Sequence, residues 1–299
     1  MAGQTRSAQP TRADAGLIRR RLATGLRQAR EATGLTHQQV ATELGWALTT
    51  IIRIEGGTVR VADPTLIALG GLYGSDPATV AGWQQMAKGS RWQPFRGYRD
   101  VIPLTYRAYL GLEAAATRII QWAPLHLPEL VQSARYAHAI AELSTPLPAG
   151  GDVADRRAAL TAARQTGLLE QPDPPHLTVL LDEGVIERLA RGPDIMLDQL
   201  LDLRRYVDHP HITIQVAGHA AGFHRGLLSA FTILEFDTDP ALIFTHPEPF
   251  TAAEVTDEAT GYQQTVASLA AAATHPKQLD EVIDACLGLN PFHFDGVGS

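Results

Sequence analysis

The stretch THQQVATELGWALTTIIRIEGG, residues 36–57, constrains this chain more than any other. A threonine at a helix-starting position is followed by apolar residues at helical spacing, then Gly45, then a second apolar-periodic run ending in Gly56-Gly57. Such spacing predicts two short helices joined by a tight turn. Thr36 caps the first, in which Val40, Ala41 and Leu44 face inward. The second runs over 47–55. At about 100° per residue, Ala47, Ile51 and Ile54 fall on one side and should meet the core. Thr49 and Arg53 point the opposite way with Ile52 beside them, and Leu48 and Thr50 flank.

That outer face is short of hydrogen-bonding groups but not unfit to read DNA. Arginine bonds guanine bidentately, threonine bonds a base or a phosphate, and a branched apolar side chain covers a thymine methyl. Plain solvated surface explains Thr49 and Thr50 about as well, and a domain or dimer contact is an alternative for Ile52.

The flanks extend the helical pattern. LIRRRLATGLRQAREATG (17–34) carries Leu17, Leu22, Leu26 and Ala29 at helical spacing and stops at Gly34. Asp63-Pro64 opens a further helix, PTLIALGGLYG, with the aspartate as its cap. The expected organisation is a flexible arm over 1–16 and an all-α helix-turn-helix domain of four to five helices over 17–75. A linker with a bridging helix follows over 76–100, then an α+β regulatory domain over 101–289 and a tail over 290–299. Arg6 and Arg12 in the arm offer a reach into a minor groove, though an uninvolved tail is the simpler reading.

Charge divides the same way. Residues 1–75 hold nine arginines against five carboxylates, a balance of +4; the other 224 residues hold 16 cations against 27 carboxylates, a balance of −11. A basic front on an acidic body suits a DNA-binding module joined to a part kept off DNA. No apolar run nears the roughly 20 residues that span a bilayer. The opening MAGQTRSAQPTRADAG has no hydrophobic core, and one cysteine rules out an internal disulfide. A cytoplasmic, nucleoid-associated protein with no membrane partner is expected.

Beyond residue 101, TYRAYLGLEAAATRII reads as a helix and QWAPLHLPEL as an extended stretch. Helices are expected at 132–143, 152–169 and from Pro193, and strands at 176–183, 211–218, 227–236 and 241–246. AAEVTDEATGYQQTVASLAAAAT and PKQLDEVIDACLG close the domain as helices. The order of the strands is open.

The match from Leu22 to Tyr73 resembles the phage-repressor type of helix-turn-helix found in xenobiotic-response-element regulators. It rests on RQAREATGLTHQQVA, the turn LGW, IIRIEGG and DPTLIALGGLYG. The resemblance implies that the helix from Leu48 enters the major groove of a double-stranded, palindromic operator, read by a homodimer. Thr49, Thr50 and Arg53 would read bases, with Leu48 and Ile52 beside them; Thr36, His37 and Gln38 would hold phosphate. Arg30 and Glu55 match a structural ion pair. Three positions depart from the pattern: His37 replaces a usual glutamine, Ala47 replaces a usual serine cap, and Leu48 stands where a polar residue is common, which implies a modest affinity or more weight on DNA shape.

IIQWAPLHLPELVQSARYAHAI, VLLDEGVIERL, IMLDQLLDLRRYVDHPHITIQV and FTILEF resemble, in the same order, a C-terminal domain found in antitoxin-like regulators. The resemblance implies an acidic domain that binds a small partner protein, dimerises, or both. THPEPF (245–250) departs from the acidic ending usual after that strand, so an edge holding a partner or ligand would have its own specificity here. The alternative is a small-molecule sensor with a pocket in this domain, bordered by the glycine-rich AGHAAGFHRGLLSA. No cofactor is expected, and no enzyme: nucleophile-elbow, dinucleotide and P-loop sequences are lacking. Cys286 reads as packing. His209, His211, His219 and His224 cluster in sequence, but without cysteines or spaced carboxylates no metal is expected. Asp182, Glu183 and Arg188 read as a local charge network.

Overall fold

The computed structural model describes residues 15–90, 95–145, 152–255 and 259–288. The expected arm with Arg6 and Arg12 falls almost wholly outside these residues, as does the tail. The described residues up to Arg96, with Arg107–Ala115, form one compact unit; Gly97–Tyr106 with the residues from Ala116 on form another.

Five helices build the first unit up to Gly89: α1 (Ala15–Ala32), α2 (His37–Leu44), α3 (Leu48–Glu55), α4 (Asp63–Leu72) and α5 (Pro77–Gly89). Their apolar faces share one core of Leu22, Leu26, Val40, Ala41, Ile51, Ile54, Leu66, Leu69, Tyr73, Trp83 and Ala87. Trp83 and Ala87 come from α5, the segment read from sequence as a bridge. Asp76 caps that helix, accepting from the amides of Ala78 and Thr79 at 2.9 and 3.0 Å. Asp63, expected as a cap, is instead the first residue of α4; the cap position is Ala62, which makes no side-chain bond. Burying the Leu and Ile side chains stabilises the unit by roughly 1.5–3 kcal/mol each.

The second unit is organised on a six-stranded mixed sheet, as the α+β reading expects: β1 (Arg118–Ala123), β2 (His176–Asp182), β3 (Ile212–Ala217), β4 (Ala230–Glu235), β5 (Leu242–His246) and β6 (Ala253–Val255), ordered β3-β2-β1-β4-β5-β6. β1, β2 and β3 run parallel, and β4, β5 and β6 are antiparallel. Parallel neighbours need long crossovers. Helices α7 (Ala134–Leu143) and α8 (Val153–Leu169) lie between β1 and β2, and α9 (Glu183–Arg191) and α10 (Asp194–Asp202) between β2 and β3. After the sheet come α11 (Ala259–Ala272) and α12 (Leu279–Cys286); α6 (Leu104–Glu113) precedes it in the chain, and its residues from Arg107 on belong to the first unit.

Two sequence expectations change. The helix over 105–120 stops at Glu113, and Arg118–Ala123 forms central strand β1. Ile119, Ile120 and Trp122 are buried on both faces of the sheet, a demand that overrides the helical reading of RII. AEV, assigned to a helix, is the edge strand β6, paired with β5 through Ile243 and Val255.

Alternation along the strands gives the sheet two different faces. Ile120, Trp122, Leu180, Phe231, Ile233 and Ile243 meet Tyr262 and Leu269 of α11 in an apolar core. Gln121 and Thr232, one residue out of step, belong to the other face and are both buried.

Candidate nucleic-acid interface

The first unit positions its exposed residues from the core outward. Thr36 and Gln39 form a reciprocal cap: Thr36 Oγ1 accepts from the Gln39 amide at 3.2 Å, and Gln39 Oε1 accepts from the Thr36 amide at 2.8 Å. This satisfies two amides at the start of α2. At its end Gly45 sits at φ 66°, which only glycine adopts freely, and turns the chain into α3.

Ile51 and Ile54 anchor α3, at 1% and 4% exposure. Ala47 does not join them, contrary to the sequence reading. It is the extended N-cap residue (φ −69°, ψ 139°) and is exposed, so the helical wheel starts one residue too late to include it. Alanine offers no capping oxygen, which leaves the start of α3 without a side-chain acceptor. Such an end is suited to a phosphate oxygen.

Leu48, Thr49, Thr50, Ile52 and Arg53 are all exposed on α3, and Thr36 and Gln38 on and beside α2. Ile52 is 49% exposed, an unusual position for isoleucine on a polar surface. The Arg53 side chain makes no hydrogen bond or ion pair among the described residues. Thr50 and Arg53 also line a groove of about 450 Å³ with Trp46, Val59, Arg60 and Thr65. Arg60 was not singled out from the sequence. Its only signal is a cation just beyond Gly56-Gly57, in a loop whose path the sequence leaves open.

Arg30 and Glu55 form the expected pair in full burial. Arg30 Nε donates to Glu55 Oε1 at 2.8 Å and Nη2 to Oε2 at 2.9 Å, while Nη1 donates to the Leu35 carbonyl at 2.8 Å. The hydrogen bond to Glu55 raises the Arg30 pKa above its ordinary value. His37 is drawn into the same network, its Nε2 lying 2.9 Å from Glu55 Oε2. His37 Nε2 therefore donates to Glu55 at the end of α3, and the ring's other nitrogen can donate to a phosphate only when the ring is doubly protonated. Tyr73 packs nearby; burial, and then the Glu55 charge, push its hydroxyl up to about 12.

Residues 21–83 match a helix-turn-helix domain, so the protein carries a DNA-binding fold at this end. Residues 106–284, more than half of the chain, match a domain of unknown function, DUF5753. The chain belongs to the DUF5753 family. Comparison with curated proteins and with solved structures gave no match.

Within the DUF5753 domain the sequence's histidine cluster disperses. His209 and His211 precede β3 rather than lying in it, and His209 Nδ1 accepts from the His211 amide at 3.2 Å. His219 pairs with Glu183, and His224 stands edge-on to Trp122 at 5.2 Å. Among the described residues no three His, Cys, Asp or Glu side chains are placed to hold a metal ion. Asp182, Glu183 and Arg188 do not form one network. Asp182 caps α9 through the Gly184 amide at 2.8 Å, and Arg188 donates to the carbonyls of Pro124 and Leu125. Cys286 is partly buried in α12, and burial raises its thiol pKa. The glycine-rich loop has a packing role: Trp122 Nε1 donates to the Gly226 carbonyl at 2.8 Å. No helix among the described residues is long and apolar enough to cross a membrane.

Proposed function

We propose that this protein is a sequence-specific transcriptional regulator of the xenobiotic-response-element type, binding a palindromic operator as a homodimer through α3. The observation that carries the reading is the exposed row Thr49, Thr50, Ile52 and Arg53 on a helix anchored by Ile51 and Ile54, with Arg53 unspent. Arg53 reads a base edge, Thr49 and Thr50 read bases or phosphates, and Ile52 covers a thymine methyl. Thr36, Gln38 and, in its protonated form, His37 hold the backbone, with Leu48 and Arg60 beside them. Two such helices lie about one DNA turn apart on the operator.

The DUF5753 domain is the regulatory half. Its resemblance to antitoxin-like regulators supports docking of a small partner protein or of a second copy. The balance of −11 outside residues 1–75 supports a basic partner and keeps this half off DNA. A small-molecule sensor is the second reading, supported by a polar recess beside β1 and β4. The test of the DNA assignment is Arg53→Ala in operator binding. A loss of about 1–3 kcal/mol with relaxed preference at one base pair is expected. Unchanged affinity removes Arg53 from the readout.

A further inference from the structure

On the polar face of the sheet, Gln121, His126, Glu129, Thr232, His246 and Glu248 line a recess of about 30 Å³. Gln121 and Thr232 are buried, at 5% and 1% exposure, whereas Glu248 is exposed. The volume suits one small group and no more.

Hydrogen-bond direction shows that this group must be a donor. The Thr251 carbonyl can only accept, so His246 Nδ1, 2.8 Å away, carries the proton. In the neutral ring Nε2 then accepts from the Thr232 hydroxyl at 2.9 Å. That hydroxyl in turn accepts the Gln121 amide N–H at 3.4 Å. The relay turns the nitrogen end of Gln121 towards Thr232 and leaves Oε1 buried with no donor. An unmet buried acceptor costs about 1–3 kcal/mol.

The other groups at the recess are acceptors too. His126 Nδ1 faces the Leu127 carbonyl at 3.0 Å and must donate, so its Nε2 offers a lone pair. Glu129 accepts from the Tyr106 hydroxyl at 3.3 Å and pairs with Arg164 at 3.8 Å; burial alone would raise its pKa, but the Arg164 charge leads the effects that hold the carboxylate below its ordinary value. Glu248 adds a second carboxylate at the exposed edge. Among the described residues no lysine or arginine lines the recess, and Arg164 reaches it through Glu129, at 3.8 Å. A recess with an orphan amide oxygen inside and the exposed Glu248 carboxylate at its rim favours a cationic hydrogen-bond donor.

We propose that this recess binds the protonated primary amine of a small molecule, its ammonium bonded to Gln121 Oε1 and the rest of the ligand lying towards His126 and Glu248. The segment THPEPF (245–250) supplies both His246 and Glu248. The proposal gives the sensor reading a ligand class. It does not depend on operator binding.

The experiment is titration calorimetry of the full chain with n-butylammonium. Tetramethylammonium, of equal charge but without N–H, and butyrate are the controls. Butylammonium binds and the controls do not. Gln121→Met, which keeps the length and removes the acceptor, weakens binding about tenfold or more, and Gln121→Glu retains it. Glu248→Gln, at an exposed position, weakens binding without threatening the fold, and keeps the test decisive if Gln121→Met does not fold. Absence of butylammonium binding at about ten millimolar, equal binding of tetramethylammonium, or binding unchanged in Glu248→Gln and in whichever Gln121 variant folds overturns the proposal. The readout involves no DNA, so its failure leaves the operator assignment standing.

Discussion

Replacing Glu55 by glutamine should loosen the helix-turn-helix unit by about 3 kcal/mol. Arg30 delivers Nε and Nη2 to the two Glu55 oxygens at 2.8 and 2.9 Å, with side-chain exposures of 9% and 2%. Breaking a buried pair costs about 3–5 kcal/mol because the surviving charge stays buried and unmet. Glutamine keeps the volume and one acceptor oxygen, which places the cost at the low end. Its NH₂ group, however, turns a donor towards a donor. Hydrogen exchange read by mass spectrometry suits the full chain, because it needs no all-or-none unfolding of both units. Peptides from α1 and α3 should exchange roughly a hundredfold faster, since each 1.4 kcal/mol is tenfold. Arg30→Met with Glu55→Met should be far less disruptive than the sum of the two single changes, because neither charge is then stranded. Acceleration below about fivefold in Glu55→Gln would refute the claim that this pair fastens the end of α3 to α1.

Three further outcomes follow from the geometry. A methyl group at Gly226 would lie 2.5 Å from Trp122 Nε1 and 2.9 Å from His224 Nδ1. Gly226→Ala should therefore destabilise the DUF5753 domain by about 1–3 kcal/mol, seen as a lower melting midpoint in near-ultraviolet circular dichroism; an unmoved midpoint counts against the packing described. Burial holds the imidazoles of His224 and His209 below their ordinary pKa, with His211 adding to the effect at His209. The folded state thus prefers neutral rings, and stability present above about pH 6.5 is lost as pH falls below it. The melting temperature should decline on acidification from neutrality, less steeply in His224→Phe, and an equal slope in that variant would exclude His224. Gly16→Ala places a methyl 2.0 Å from the Gly111 carbonyl oxygen and should likewise lower stability, as a melting curve would show.

Much of the first unit was legible in residues 36–57 because helical periodicity, a capping threonine and a glycine turn all act over short range. Ile51 and Ile54 announce the core by spacing alone. Ala47 was misplaced because a wheel cannot say where a helix begins, and a missing cap removes the local cue. In the second unit, Ile119 and Ile120 read as the end of a helix because periodicity does not register the neighbours β2 and β4 that bury them. Three residues, Ala253–Val255, are too few to show a period at all. The recess was beyond sequence reasoning for a different reason: Gln121 meets Thr232 across 111 positions, and strand order alone brings them together. Arg60 was missed because its relation to Arg53 is set by a loop without a pattern.

The central claim is tested most directly by fluorescence anisotropy of the full chain on DNA from upstream of its own gene against a scrambled duplex, across a salt series. The account predicts tight binding to the upstream duplex alone, with affinity falling steeply as salt rises and about 10³-fold or more separating the two duplexes. Weak binding, equal on both, would contradict it and leave the outer face of α3 without a reader's role.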